Sequence, residues 1–492
     1  MASDNAISRF FKHSGVYAVG SALNRVGGFL LLPLYTHHLT TAQYGTLELF
    51  YAVAAIIGGV LSVGIAHATL RFYFDYETEA DRNSVVSTNL CAAFGIGLTG
   101  VTLFGTFGEP VVKLVLATDP PRWALQIILT TLVLELSAQV CLAYLRAREK
   151  SIFFISIVLV QLLVQCVTNV ILLAHFDAGV AGVLAGNCLA VAVGWLALVS
   201  YTLRQCGFRF EMHKLLPVLR YSLPFLYTTI VGVVVANIDR FLVNKLLSLE
   251  ALGIYALATR FGKLISDLIG EPFARAYGAF RYTVMGSPDA ANIQARVVRI
   301  LSCLLAFISL SIVFFTGDAL RLMSAPQYWP AASLMPLLVI AASMQTLTYA
   351  LQTGILYKKT TGDIFRISMW QNSVGVLASL ILMPRFGLFG AVVSAALCAT
   401  VGAFLTNRAS QKHFAVEYEY RRLGLLTALL VSCYVASVPL AWAPISFAFT
   451  AKLILLVLFS WLLVRSSVLD DTERSAITTA LRSLKGHFSP GD

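Results

Sequence analysis

Long apolar runs recur along almost the whole chain, and they restrict its fold more than any motif does. They lie near 14–36, 46–67, 85–107, 123–145, 152–174, 179–203, 221–243, 250–272, 294–316, 331–356, 363–383, 387–406, 423–441 and 444–464. At about 1.5 Å per helical residue each can cross a hydrocarbon core of about 30 Å. The predicted fold class is therefore all-α, a polytopic membrane protein of about 14 transmembrane helices. Composition agrees. Of 492 residues, 58% are hydrophobic and 12% charged, too few polar groups to cover a soluble globule. The polar stretch 1–13 precedes a run too long for a signal-peptide core, so the first helix is expected to stay in the mature protein.

Positive charge tests the helix count, because Lys and Arg gather in cytoplasmic loops. With the N-terminus inside, 26 of the 36 Lys and Arg fall on the cytoplasmic side and six outside, and Arg25, Arg240, Arg260 and Lys263 lie within runs. Both termini are thus expected to be cytoplasmic. The net charge of +11 reads as topology and not as a nucleic-acid surface, since the cations are scattered singly between apolar runs. The eight cysteines show no C-x-x-C spacing and read as small apolar fillers, with no metal site.

A shift of 208 residues superposes Gly45 on Gly253, Gly179 on Gly387, Gly182 on Gly390, Gly194 on Gly402 and Leu39 on Leu247. Six helices separate the copies, an even number, so the two lobes share one orientation. The expected organisation is a six-helix lobe at 1–206, an interfacial linker at 207–220, a second six-helix lobe at 221–411, helices 13 and 14 at 412–465, and a cytoplasmic tail at 466–492. Ile477, Leu481 and Leu484 give the tail an amphipathic face.

No Walker loop, zinc motif, nucleophile elbow or dinucleotide fingerprint occurs, and the outer connections are short. The chain therefore reads as a non-enzyme, with any transport secondary or coupled to other proteins, and without cofactors beyond a coupling ion, H+ or Na+. Charges at mid-bilayer carry the most information, since each costs about 2.5–3.5 kcal/mol on insertion scales. Arg25, with Asn24 beside it, and Arg260 lie near the midplane, one in each half. Arg260, Lys263, Asp267 and Glu271 are spaced by three, four and four, which places them on one helix face. Two such cations suit a pyrophosphate in a central cavity. The alternative is a set of structural ion pairs, Lys263 with Asp267 and Arg25 with a nearby acid.

Glu135, near the midplane of the fourth run, is a candidate proton carrier or a salt-bridge partner of Arg25 or Arg260. Asp239, beside Arg240 at the outer end of the seventh run, is a second coupling candidate or, with Arg240 reaching the interface, a structural pair, and Asp267 is a third candidate. Gln161, Gln165 and Asn169 recur every four residues, as an amide stripe for sugar hydroxyls or for helix contacts. Pro33, Pro224, Pro272 and Pro336 mark expected kinks or helix ends.

Leu32-Pro33-Leu34-Tyr35, Leu39-Thr40 and Tyr44-Gly45, with Asp239-Arg240-Phe241 and Leu252-Gly253-Ile254-Tyr255 at the matching place in the second half, carry a resemblance. Over essentially its whole length the chain resembles the polysaccharide transporter family. These are the O-antigen and exopolysaccharide flippases of the multidrug/oligosaccharidyl-lipid/polysaccharide exporter superfamily. The resemblance implies two lobes in a V around a cationic cavity in the bacterial inner membrane. It also implies alternating access for an undecaprenyl-pyrophosphate-linked oligosaccharide, with membrane lipid, a polymerase and other polysaccharide assembly proteins as partners. The related lipid II flippases carry a further basic residue in helix 2, and 46–67 here has no Lys or Arg. Competing readings are a drug exporter of the same superfamily, a membrane glycosyltransferase or polymerase, and a non-transporting scaffold.

Overall fold

The computed structural model describes residues 27–107, 121–442, 444–470 and 473. Among these every regular element is helical and no strand occurs. In chain order the first helices are α1 (Leu32–His38), α2 (Thr41–Ser62), α3 (Ile65–Tyr73), α4 (Glu79–Phe107), α5 (Arg122–Ala147), α6 (Ser151–Val170), α7 (Gly179–Cys206) and α8 (Met212–Leu246). Then come α9 (Leu249–Ile265), α10 (Glu271–Val284), α11 (Ala290–Met323), α12 (Met335–Leu351), α13 (Thr353–Tyr357), α14 (Thr361–Phe386), α15 (Leu388–His413), α16 (Tyr420–Ser437) and α17 (Ile445–Arg465).

Local chemistry sets several of the ends. Thr40 and Gln43 form a capping box at the start of α2, each side chain accepting the other's backbone N–H, at 3.2 and 2.9 Å. The repeat-matched Gly179 and Gly387, at φ 53° and 57°, make the sharp turns before α7 and α15. Pro272 falls in the first turn of α10, where its missing N–H costs little, and a π turn (Ser266–Gly270) joins that helix to α9. Helix α8 bends by 47° between its parts Met212–Pro224 and Thr229–Leu246, where Pro224 interrupts the ladder.

Eleven helices among the described residues are long and apolar enough to cross a membrane, or twelve if bent α8 is one span. The count of fourteen adds two further runs. Residues 14–26 of the first lie outside the described residues. The eighth is helical through α9, the π turn and α10, but the charges at 250, 260, 263, 267 and 271 make it less apolar than the others.

The chain packs as two compact units, 1–254 with 323–327, and 255–322 with 328–492. The repeat sets its boundary near 207–220 instead, yet α8 packs along α2, α3 and α4 and so joins the first unit. The short stretch 323–327 follows because Thr36 Oγ1 donates to the Met323 carbonyl at 3.1 Å and Gln327 Nε2 to the Leu39 carbonyl at 3.2 Å. In the first unit Ile65, Leu90, Val140, Leu145 and Leu198 form a core. In the second, Ile265, Ile269, Leu301 and Val339 form one core and Leu310, Phe314, Leu426 and Phe459 another. The latter binds α16 and α17 to α11, and ion pairs clamp both ends. Lys452 meets Asp318 at 2.8 Å, and at the other end Arg299 engages Glu419, Asp470 and Glu473.

The linker is non-helical at 207–211 and helical from Met212, continuous with the seventh run. The backbone N–H groups of Arg209 and Glu211 donate to Ser87 and Thr88 at 2.9 and 3.0 Å. Phe208, Phe210 and Met212 are exposed. In the tail, Val468 and Leu469 are buried, while Ile477, Leu481 and Leu484 lie outside the described residues.

Candidate functional site

The charged stripe of α9 survives the π turn. Arg260, Asp267 and Glu271 are half-buried and Lys263 is exposed, whereas Phe261, Gly262, Ile265, Ile269 and Gly270 between them are buried. The stripe therefore faces away from the packed interior of its unit, whose core takes Ile265 and Ile269. Glu271 also reaches Arg275 one turn on, at 3.3 Å. Arg25 and Asn24, the matching candidates of the first lobe, lie outside the described residues.

The amide stripe of α6 meets α7. Asn169 is fully buried and its Nδ2 donates to the Tyr35 hydroxyl at 2.6 Å, while Gln165 Nε2 donates to Asn187 at 3.3 Å. Gln161 packs on Gly194 and Asn169 on Gly186 so closely that a Cβ at either glycine would collide with the amide. Gln371 sits in the same way on Gly402, the repeat mate of Gly194. The amides thus serve helix packing, with Gln161 and Gln165 left half-buried. Glu135 is half-buried in α5 and has no hydrogen-bond or ion-pair partner among the described residues.

Asp239 and Arg240 belong to a cluster whose third member sequence reasoning passed over. Arg240 Nε lies 3.5 Å from Glu48 Oε2, and its Nη1 lies 3.8 Å from Asp239 Oδ1 and donates to Asn237 at 3.2 Å. Glu48 is 6% exposed and stands in α2, inside an apolar run that contains no basic residue. Its signal was the lone acid itself. A buried acid within a span asks for a cation from another helix, and Arg240 in α8 supplies it.

Near this cluster the repeat becomes a contact. A Cβ on Gly45 would collide with the Leu249 carbonyl, and one on Gly253 with the Thr41 carbonyl. Thr41 and Leu249 are themselves 208 residues apart, so the starts of α2 and α9 cross with local two-fold symmetry, backbone on backbone. Only glycine permits that approach. No group of metal-ligating side chains occurs among the described residues.

Solved structures with this arrangement of helices are membrane flippases and exporters. A lipid II flippase, MurJ, in an inward closed conformation aligns with a TM-score of 0.67 at 12% identity, over 91% of this chain and 98% of that one. An inward-facing multidrug resistance MATE family transporter of the MOP superfamily aligns at 0.56 and 15% identity, over 82% and 96%. A Vibrio cholerae MATE transporter, VcmN, aligns at 0.55 and 14%, over 84% and 98%. At these identities the likeness establishes the fold. No curated protein matches the sequence. A family model does, that of the polysaccharide biosynthesis proteins, over residues 10–277. The chain, a multi-pass membrane protein with the fold of flippases and exporters, belongs to the polysaccharide biosynthesis protein family.

Proposed function

We propose that this protein is a flippase that carries an undecaprenyl-pyrophosphate-linked oligosaccharide from the cytoplasmic to the outer leaflet of the bacterial inner membrane by alternating access. Both termini are then cytoplasmic, and a polymerase and other assembly proteins act beside it in surface or exopolysaccharide synthesis. The observation that carries the reading is the α9 stripe, with Arg260 and Lys263 on the face turned from their unit's core. A pyrophosphate crosses hydrocarbon only if something offsets its desolvation, several kcal/mol per ion, and a fixed guanidinium does so. Every lipid-linked sugar of this class presents that group whatever its glycan, so the same cations serve each. In this reading Arg25, Arg260 and Lys263 hold the pyrophosphate, and Asn24 and the half-buried Gln161 and Gln165 are the glycan contacts, while Asn169, expected among them, is fully buried against Tyr35 and Gly186 and packs helices instead. Glu135, Asp267 and Asp239 are the groups through which a proton or sodium ion couples.

The test is Arg260→Gln at native protein level. Undecaprenyl-linked oligosaccharide is expected to accumulate in the inner leaflet, with partial rescue by Arg260→Lys, which keeps the charge but loses the bidentate fork. Normal polymer export by an Arg25→Gln, Arg260→Gln double variant would overturn the site. The likeness to MATE transporters supports a second reading, drug export. Deleting the gene separates the two: loss of polymer with unchanged drug susceptibility fits the flippase, and the reverse fits the exporter.

A further inference from the structure

Among the described residues the cations held in the packed interior come with carboxylates, and Arg281 does not. Arg299 has three acids, Lys452 has Asp318, Lys214 has Asp81 and Glu211, and Arg240 has Glu48. Arg281, in the last turn of α10, is 5% exposed. Its Nε donates to the Tyr277 carbonyl and its Nη2 to the Tyr349 carbonyl, both at 3.4 Å, and its guanidinium lies 4.9 Å from the Tyr277 ring centroid. Its Nη1 is buried without a hydrogen-bond partner, and no carboxylate among the described residues pairs with it.

A guanidinium carries five donors in a fork that matches a phosphate. Here two are used, at long distance, and among the described residues no carboxylate compensates the buried charge. The neighbours hold it in place. The Tyr277 hydroxyl donates to Gln294, whose amide donates to the Ala350 carbonyl at 2.9 Å, and Phe273 stacks on the Tyr277 ring. Phe280 and Tyr282 on either side are 45% and 57% exposed. Exposed aromatics at the end of a membrane helix mark the headgroup level, where phosphates lie.

We propose that Arg281 is a binding site for the phosphate ester of a membrane lipid at the cytoplasmic surface. The site is separate from the α9 stripe and does not depend on the flippase reading. The group is either the phosphate of an anionic phospholipid or the pyrophosphate of a lipid-linked cargo. Both present the same oxygens to the fork.

The full chain in nanodiscs of phosphatidylcholine doped with phosphatidylglycerol, released into native mass spectrometry, reads the site. Wild type is expected to retain phosphatidylglycerol over phosphatidylcholine. Arg281→Gln should retain it about tenfold more weakly, the worth of a charge-assisted hydrogen bond. Arg281→Lys should fall between. Soluble pyrophosphate that displaces the phospholipid identifies the cargo group as the occupant; failure to displace it identifies the bilayer lipid. Equal retention by wild type and Arg281→Gln overturns the proposal. Should Arg281→Gln fail to fold, photoactivatable phosphatidylglycerol on the wild type decides: crosslinks are expected within 280–285, and their absence there overturns it.

Discussion

Gly45 and Gly253 show how far one residue type constrains this molecule. Each faces a carbonyl oxygen of the opposite helix at a distance that no Cβ tolerates. Gly45→Ala is expected to destabilise by about 1–3 kcal/mol, the cost of overpacking. Gly95→Ala, in a helix interior with open space around it, is expected to stabilise by about 0.5–1 kcal/mol. Thermal unfolding of the purified protein in detergent checks both, and equal midpoints would remove the close crossing. Glu48 gives the companion prediction. Glu48→Ala leaves Arg240 buried without this partner and should cost about 3–5 kcal/mol, whereas Glu48→Gln keeps a hydrogen-bond acceptor and should cost less. An unchanged midpoint for Glu48→Ala would show the pair to be solvated. The glycines were legible as repeat mates, but a repeat states equivalence and not touch, so the crossing needed the structure. Glu48 escaped because topology is read from cations, while a single acid in an apolar run leaves the charge alternation intact.

At the scale of elements, sequence periodicity placed the polar stripes of α6 and α9 and left open what each meets. The amides of α6 turn out to sit on small residues of α7, since amides in lipid find partners wherever a glycine opens space. No sequence period reveals the π turn before Pro272. The linker was read as interfacial from composition, and its anchoring is what composition omits. Lys214, 5% exposed, meets Asp81 at 2.8 Å and Glu211 at 3.1 Å. Hydrogen bonding from Lys214 and Thr78 holds the Asp81 carboxyl below its usual range, and Ser84 and Lys214 do so for Glu211. Folded-state values below the unfolded ones mean that this clamp is complete above the ordinary carboxylate range near 4 and is lost as pH falls through the lowered values. Hydrogen exchange at the Arg209 and Glu211 amides, corrected for intrinsic rate, should stay slow from pH 7 to about 5 and quicken below about 4. Lys214→Ala should show fast exchange already at pH 7. Protection that ignores both changes would mean that Ser87 and Thr88 hold the linker without the ion cluster.

For the whole molecule the all-helical membrane class followed from run length alone, and the expectation of two lobes rests on the 208-residue shift. The compact units end elsewhere, because α8 belongs by repeat to the second lobe and by packing to the first. Orientation in the bilayer is a separate matter, carried by charge. The apparent 26-to-6 division of Lys and Arg holds only if every span is counted, since one missing helix would invert all later loops. Two sites test the register at its ends. His37 and His38 end α1 and are exposed, with α2 beginning at Thr41 and so reversing the chain at once. Arg385 lies ten apolar runs further on, at the end of α14, just before the Gly387 turn that mirrors Gly179. Fourteen spans with a cytoplasmic N-terminus place both sites outside. Alkaline phosphatase fused after His37 or after Arg385 should therefore be active, and a fusion within the linker at Phe208 inactive. An inactive fusion after Arg385 with an active one after His37 would locate a missing or extra span between α2 and α14. The first suspect would then be the charged α9–α10 helix, the least apolar of the runs, whose place in the bilayer is also what sets Arg260 at mid-depth.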